Sequence, residues 1–426
     1  DFDVCTGDCF MMQVSTRHTG NGQITGGGTQ NADDVTTYIS LDGGLDTAGT
    51  VTYERSGSTN DNRIAWQILE YIGPVGGPNE MKVLDRGTVT FGSASTTADG
   101  AVIVGGAADD NDVAVIITGV SNPDTGTSDY ETGLITTEWI GASDLPRFTR
   151  TATGSDATRV SYAVVEFTGI SWNLQRVEHT GSDAPFPTQT QSITDVGDLS
   201  RAFVIQAQQR NADSATADGV CEIGEMVYLS DTDELSFHHE AGSPGCTYNT
   251  QMEEVIWILS NTNTATGKKM IVEHQQPTDQ LNTSGSEEEN WQRTITSLTY
   301  GQDETSIFGF TANADGTDNS HPRGHIVAEL TDSTTVNFWQ SDAGEEVAYS
   351  FSAVQWPHSR AFSVAFVENL GLVDVVNKNI PASLTESILL VDVIETTNAA
   401  SVSLTEDLEF IDNINRNIPV TLTEDL

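Results

Sequence analysis

Apolar and polar residues alternate along most of this chain with a period of two. The clearest stretch is Arg63-Ile-Ala-Trp-Gln-Ile-Leu-Glu-Tyr71, where Trp66 and Ile68 fall on one side and Gln67 on the other. Alternation of this kind, rich in aromatic and β-branched residues, predicts a half-buried strand with Gln67 facing outward. The stretch returns as Arg159-Val-Ser-Tyr-Ala-Val-Val-Glu-Phe167, as Glu254-Val-Ile-Trp-Ile-Leu-Ser260 and as Tyr349-Ser-Phe-Ser-Ala-Val-Gln-Trp356. Aligned on Leu69, Val165, Leu259 and Val354, the copies recur about every 95 residues, which is the mark of tandem repetition. Trp66, Tyr162, Ile256 and Phe351 are then expected at equivalent core positions.

Smaller echoes support the same period. Val177-Glu-His returns as Val272-Glu-His, and Ser200-Arg-Ala-Phe203 returns as Ser359-Arg-Ala-Phe362. Further strands are expected over 36–41, 50–54, 81–91, 101–104, 113–120, 134–140, 146–151, 201–208, 225–229, 234–239, 307–311, 325–330 and 336–340. No segment in the first 370 residues keeps a 3.6-residue apolar period, so few helices are expected. The expected fold is all-β: four tandem β-sandwich modules, immunoglobulin-like or jelly-roll-like, of about 95 residues each. Their expected limits are 1–90, 91–185, 186–285 and 286–370. Blades of a β-propeller are normally only about 40–50 residues long, so modules of this length favour beads on a string.

From residue 371 the texture changes. Asn379-Ile-Pro-Ala-Ser-Leu-Thr-Glu-Ser-Ile388, Ala399-Ala-Ser-Val-Ser-Leu-Thr-Glu-Asp-Leu408 and Asn417-Ile-Pro-Val-Thr-Leu-Thr-Glu-Asp-Leu426 are copies of one unit, with Leu384, Leu404 and Leu422 at its centre. Units this short cannot enclose a core alone. They must stack on one another or pair with another chain. Strands without partners in their own unit predict contacts between neighbouring subunits over 371–426. These Thr- and Asp-rich repeats resemble the stalk repeats of modular β-sandwich surface and fibre proteins of microbes or their viruses. The resemblance covers roughly 55 residues, is mainly one of composition, and brings no catalytic residues with it.

Charge narrows the function. The chain has 62 acidic residues against 18 basic ones, a formal net charge of −44. Such a surface repels phosphate backbones, which argues against nucleic-acid partners, and it suits a saline or calcium-rich exterior where salt screens the self-repulsion. No apolar run approaches the roughly 18 residues a membrane-spanning helix needs. The first residue, Asp1, is expected to follow a removed signal peptide or further residues. Cys5 and Cys9 flank a Thr-Gly-Asp turn, and Cys221 and Cys246 fall in two loops. Two local disulfides, Cys5–Cys9 and Cys221–Cys246, would suit an oxidising compartment, with four free thiols as the alternative.

The Ser-hydrolase elbow, the zinc-protease helix, the P-loop and the dinucleotide fingerprint are all absent. His238 and His239 sit on an expected strand and face opposite sides, a poor arrangement for one metal. Glu70 and Glu166 occupy equivalent positions of separate modules, too far apart for two-carboxylate catalysis, and are expected to pair with Arg86 and Arg176. Asp109, Asp110 and Asp112, and Asp315 and Asp318, cluster hard oxygen donors near strand ends where Ca²⁺ could be held, although no EF-hand loop is present. Asn31–Asp34 and Asn60–Asn62 are similar turns. Trp139, Trp172, Trp291, Trp339 and Trp356 would form either a sugar-stacking platform or core. Asn282-Thr-Ser284 is a glycosylation sequon.

These features together predict an extracellular, cell-surface or virion-surface structural protein, not an enzyme, that self-associates into a homo-oligomer or filament. The alternatives are an adhesin or glycan-binding fibre and, third, a polysaccharide-degrading enzyme. Ca²⁺ is the one expected cofactor.

Overall fold

The structure is a computed structural model of the 426-residue chain. It describes residues 8–19, 38–42, 50–54, 61–71, 73–122, 130–151, 153, 157–181, 189–211, 226–238, 252–264, 270–275, 289–296, 305–315, 326–332, 334–340 and 346–356, together with seven strands after residue 363. The chain divides into two compact units, Asp1–Pro357 and His358–Leu426. The described residues are all-β apart from single turns of 3-10 helix.

The first unit begins with β1 (Cys9–Thr19), β2 (Tyr38–Asp42), β3 (Thr50–Glu54) and β4 (Asp61–Glu70). Next come β5 (Lys82–Thr90), β6 (Thr97–Asp99), β7 (Val113–Ser121), β8 (Thr136–Ile140), β9 (Leu145–Thr149) and β10 (Arg159–Glu166). A further six follow: β11 (Trp172–Thr180), β12 (Gln189–Ser192), β13 (Ala202–Asn211), β14 (Met226–Asp231), β15 (Glu234–His238) and β16 (Met252–Asn261). The last six are β17 (Ile271–Gln275), β18 (Glu289–Thr294), β19 (Thr305–Asp315), β20 (Ile326–Leu330), β21 (Thr335–Gln340) and β22 (Glu346–Gln355).

One pairing pattern runs through each of the three six-strand sets. The first, sixth and third strands form one antiparallel sheet (β5-β10-β7, β11-β16-β13, β17-β22-β19). The second, fifth and fourth form another (β6-β9-β8, β12-β15-β14, β18-β21-β20). The opening four strands show the last four places of this pattern, as β1-β4 and β2-β3. Each third strand, β1 included, carries its bulge where it pairs with the sixth. The recurrent stretch found in the sequence is the sixth strand every time. Trp66, Tyr162, Ile256 and Phe351 all lie on it, and each joins a cluster containing residues of its own set's second sheet.

Two expectations change. Residues 81–91 were expected to close the first module, but β5 pairs with β10 and so opens the second set. The strand that follows a sixth strand pairs with the next sixth strand: β5 with β10, β11 with β16 and β17 with β22. Residues 101–104, expected as a strand, form a loop. Ile103 anchors it by donating its N–H to the Asp144 carbonyl, while Gly105 and Gly106 adopt positive φ and Val104 is fully exposed.

The sets are not beads on a string. Local clusters hold the paired sheets of the first, third and fourth sets together. The largest cluster, however, takes Phe10 and Leu69 from the first set, Val115 and Val165 from the second, Trp257 and Leu259 from the third, and Phe308 and Val354 from the fourth. The sixth strands β10, β16 and β22 are therefore buried on both faces, while β4 is mostly half-buried. On β16, Ile256 and Ile258 face the set's own second sheet, and Val255, Trp257 and Leu259 face the shared cluster.

Contacts between sets run in a closed circuit. The fourth strand of each set packs on the third strand of the next: β2 on β7, β8 on β13, β14 on β19, and β20 back on β1. Side chains stitch three of these joints. The Ser161 hydroxyl donates to the Ile39 carbonyl and accepts in turn from the Thr118 hydroxyl. The Gln208 amide accepts from the Thr137 N–H at 2.9 Å and donates to the Val115 carbonyl at 2.9 Å. Thr311 Oγ1 accepts from the Val227 N–H, and Ser350 donates to the Val227 carbonyl. Gly119 is needed at the first joint, because a Cβ there would lie 2.4 Å from the Ile39 nitrogen.

The second unit contains β23 (Val364–Val367), β24 (Val375–Asn377), β25 (Ala382–Glu386), β26 (Val393–Thr396), β27 (Val402–Glu406), β28 (Asn413–Arg416) and β29 (Val420–Glu424). The chain alternates between two parallel sheets, β23-β25-β27-β29 and β24-β26-β28. Equivalent residues stand in register: Phe366, Leu384, Leu404 and Leu422 along one sheet, and Val376, Ile394 and Ile414 along the other. The tail strands were expected to lack partners within their own short unit, and to stack on one another or pair with another chain. Among the described residues they pair with the preceding and following copies, so stacking satisfies the backbone groups that a single unit leaves open.

Candidate functional site

The acidic turn before β7 is the best-defined cluster of the expected ligand residues. Asp109 caps the 3-10 turn Asp110–Asp112 by accepting from the Asn111 N–H at 2.9 Å. Asp110 is turned to Trp139, whose indole N–H donates to it at 2.8 Å. Beneath the turn, the buried Glu166 carboxylate accepts from the N–H groups of Ala108 and Asp109. Burial, and then the charges of Asp109 and Glu166, hold the Asp112 carboxyl above the usual carboxylate range. Two of the three aspartates are thus committed to protein donors, and the turn is tied to the end of β10 rather than opened around a central point.

Among the described residues no group of three or more His, Cys, Asp or Glu side chains is arranged to hold a metal ion. Asp315 ends β19 opposite Glu346, and Asp318 lies outside the described residues. Glu70 and Glu166 do sit near the ends of corresponding strands. The expected Arg176 partner of Glu166 instead forms an ion pair with Glu178 at 2.5 Å and reaches the Thr137 carbonyl. Arg86 places Nη1 3.7 Å from Cys9 Sγ.

The tryptophans divide in two. Trp172 and Trp356 meet edge to face at 6.3 Å, and Trp356 also packs edge to face on Phe203 and Phe308. Trp139 is buried and bonded to Asp110. These three are core. The side chains of Trp291 and Trp339 lie outside the described part, as do His239, Asn282 and the turns 31–34 and most of 60–62. His238 ends β15, and the stacked histidine of that region is His179, lying 3.8 Å from the Phe237 ring.

Cys9 is fully buried and disulfide-bonded. Cys5, Cys221 and Cys246 lie outside the described residues.

A cleft of about 190 Å³ lies where the first set meets the second, lined by Met11, Leu41, Arg86, Thr118, Ser161 and Tyr162 among others. Its hydroxyls already serve the joint: Thr118 donates to Ser161, and Tyr162 donates to Asp85 at 2.8 Å. Burial and the neighbouring Asp85 push the Tyr162 phenol up, so it stays a donor at any ordinary pH. The cleft presents no base beside a nucleophile among its lining residues.

Residues that pattern reading passed over carry most of the structure. Arg150 is completely buried and donates to the carbonyls of Ser95, Gly92 and Thr132 and to the Thr158 hydroxyl, with its guanidinium 4.9 Å above the Phe91 ring. Gln67, expected to face outward, clamps the Ile307 backbone of another set, donating to its carbonyl at 2.9 Å and accepting from its N–H at 3.1 Å. Gln206 does the same to Ile117. A polar residue alternating with apolar ones gives no sign of such a partner in the sequence.

No protein-family model matches the chain, and no curated protein is detectably similar to it. No helix among the described residues is long and apolar enough to cross a membrane.

Proposed function

We propose that this chain is an extracellular structural protein, with no catalytic role, that builds or decorates a filament, fibre, surface layer or virion through contacts between copies of itself. In this reading the first unit is four repeats of a two-sheet β-sandwich, joined in a ring by their third and fourth strands. The second unit is the element through which copies associate.

The observation that carries the reading is the parallel, in-register array of near-identical strands in the second unit. A Leu-Thr-Glu strand that pairs with its own near-copy within the chain offers the same backbone groups and the same side-chain sequence to a copy from another chain. The net charge of −44 opposes association at low ionic strength, so assembly should require salt or Ca²⁺ to screen it. Commitment of the buried polar side chains to joints between repeats, rather than to an open site, fits a scaffold.

The test is sedimentation of the full chain and of a chain ending at Pro357, each at low salt, at high salt and with Ca²⁺. The full chain is expected to form larger species once its charge is screened, and the shortened chain to remain monomeric. A shortened chain that assembles as the full one does would overturn the role given to the second unit.

A further inference from the structure

The Val-Glu-His echo puts a histidine on the first strand of both the third and fourth sets, and the two have different surroundings. His179 lies against the Phe237 ring within its own set. His274, on β17, bridges two sets. Its Nε2 lies 3.0 Å from the carbonyl oxygen of Leu199, in the turn that precedes β13 of the third set. Its Nδ1 lies 3.0 Å from Ser352 Oγ on β22 of the fourth.

The partners settle the tautomer. A carbonyl only accepts, so Nε2 carries the hydrogen and Nδ1 is left to accept from the Ser352 hydroxyl. The ring is satisfied when neutral. A second proton can enter only at Nδ1, where it meets the Ser352 oxygen. The hydroxyl must then turn round to accept from the new N–H, and a positive charge is left in a largely enclosed place.

Among the described residues no neighbour offsets that charge. On the turn from the third set, Asp198 is held by Arg201 at 2.9 Å, and by Ser200. On β13 the nearest part is Ala202, while Arg210 at the far end pairs with Glu253. On β22 the facing residue is Ser352, and Glu346 stands at the other end of the strand. On β17 itself, Glu273 accepts from the Thr296 N–H and from Gln275.

We propose that His274 makes the joint between the third and fourth sets sensitive to acid, holding it closed when neutral and loosening it when protonated. Burial moves the pKa of this imidazole below its ordinary value, outweighing the Leu199 and Ala202 carbonyls that pull it upward. A depressed folded-state pKa means that the stabilisation is fully present above about pH 6.5, the ordinary histidine value, and is lost as pH falls through the folded-state value. Across that window the unfolding constant of the joint should rise by up to about tenfold per pH unit.

Two measurements on the full chain test this. Histidine proton resonances followed by NMR from pH 7.5 to 4.5 should show His274 titrating below its ordinary value, identified by its absence in His274→Gln. Hydrogen exchange of the amides over 199–204, corrected for intrinsic rates, should speed up between pH 6.5 and 5 in the native sequence and change much less in His274→Gln. The same exchange in His179→Gln should keep the native pH dependence. A His274 that titrates at or above 6.5, or equal pH dependence in the native and His274→Gln chains, would overturn the proposal. Should His274→Gln fail to fold, the His274→Asn chain serves in its place, and a native pH dependence of exchange in that chain counts against the proposal.

Discussion

At the scale of single residues, the strongest constraints come from buried polar groups that must find partners. Arg150 supplies donors to three carbonyls, and shortening it leaves those carbonyls without them. Each unsatisfied buried group costs about 1–3 kcal/mol, so Arg150→Lys should destabilise the second set by about 3 kcal/mol, read from urea unfolding. Asp112 behaves in the opposite sense. Its carboxyl is held above the usual range by burial and by Asp109 and Glu166, so its charged form is disfavoured by folding. Its contribution is therefore most favourable below the ordinary carboxylate pKa and is lost as pH rises through the folded-state value. Asp112→Asn should raise the melting temperature at pH 7 and have little effect at pH 3.5, which paired thermal scans will show. The cysteines belong to this scale too. Non-reducing peptide mapping should find Cys5 joined to Cys9 and Cys221 joined to Cys246. Closing the second loop should contribute about 3 kcal/mol by loop entropy.

At the scale of elements, the sixth strand of each set was legible because burial on its own-set face imposes period two. Strand limits elsewhere were mostly close: the expected 50–54 is β3, and the expected 113–120 is β7 less one residue. The glutamines were not legible. Gln67 occupies a position that alternation marks as outward, and only the arrival of another set leaves it, like Gln206, half-buried. Gln206→Leu should leave both backbone groups of Ile117 unpaired, at a cost of about 2–4 kcal/mol. Limited proteolysis should then cut first near the joint of the second and third sets. In the second unit the parallel register places Glu386, Glu406 and Glu424 at one level on adjacent strands, which lie about 4.8 Å apart. Like charges at paired positions of a sheet repel one another, and salt screens them. Hydrogen exchange in this unit should slow between 10 mM and 500 mM salt, and Glu406→Gln should reduce the difference.

At the scale of the whole molecule, the sequence by itself determined that the chain is repetitive, all-β and strongly acidic. These properties are local: a strand's alternation, a repeated stretch and a charge count can each be read without knowing what lies opposite. The period of about 95 residues likewise reports that one strand recurs, because its own-set face restricts it to similar residues each time. Only the tertiary structure decided that the sets share one cluster instead of keeping separate cores. A strand apolar on both faces, such as β16, reads in sequence as a continuous apolar run, and such a run does not say whether its second face meets a neighbour or another sheet of its own set. The tail followed the same rule. Its sequence required partners for every strand, but whether those partners stood in the same chain or another depended on register, which pairing in space supplies. The acidic turn was found from composition, yet Asp109 was already taken by a local backbone cap and Asp110 by the indole of Trp139, while Glu166, from a strand far along the chain, holds the turn's backbone.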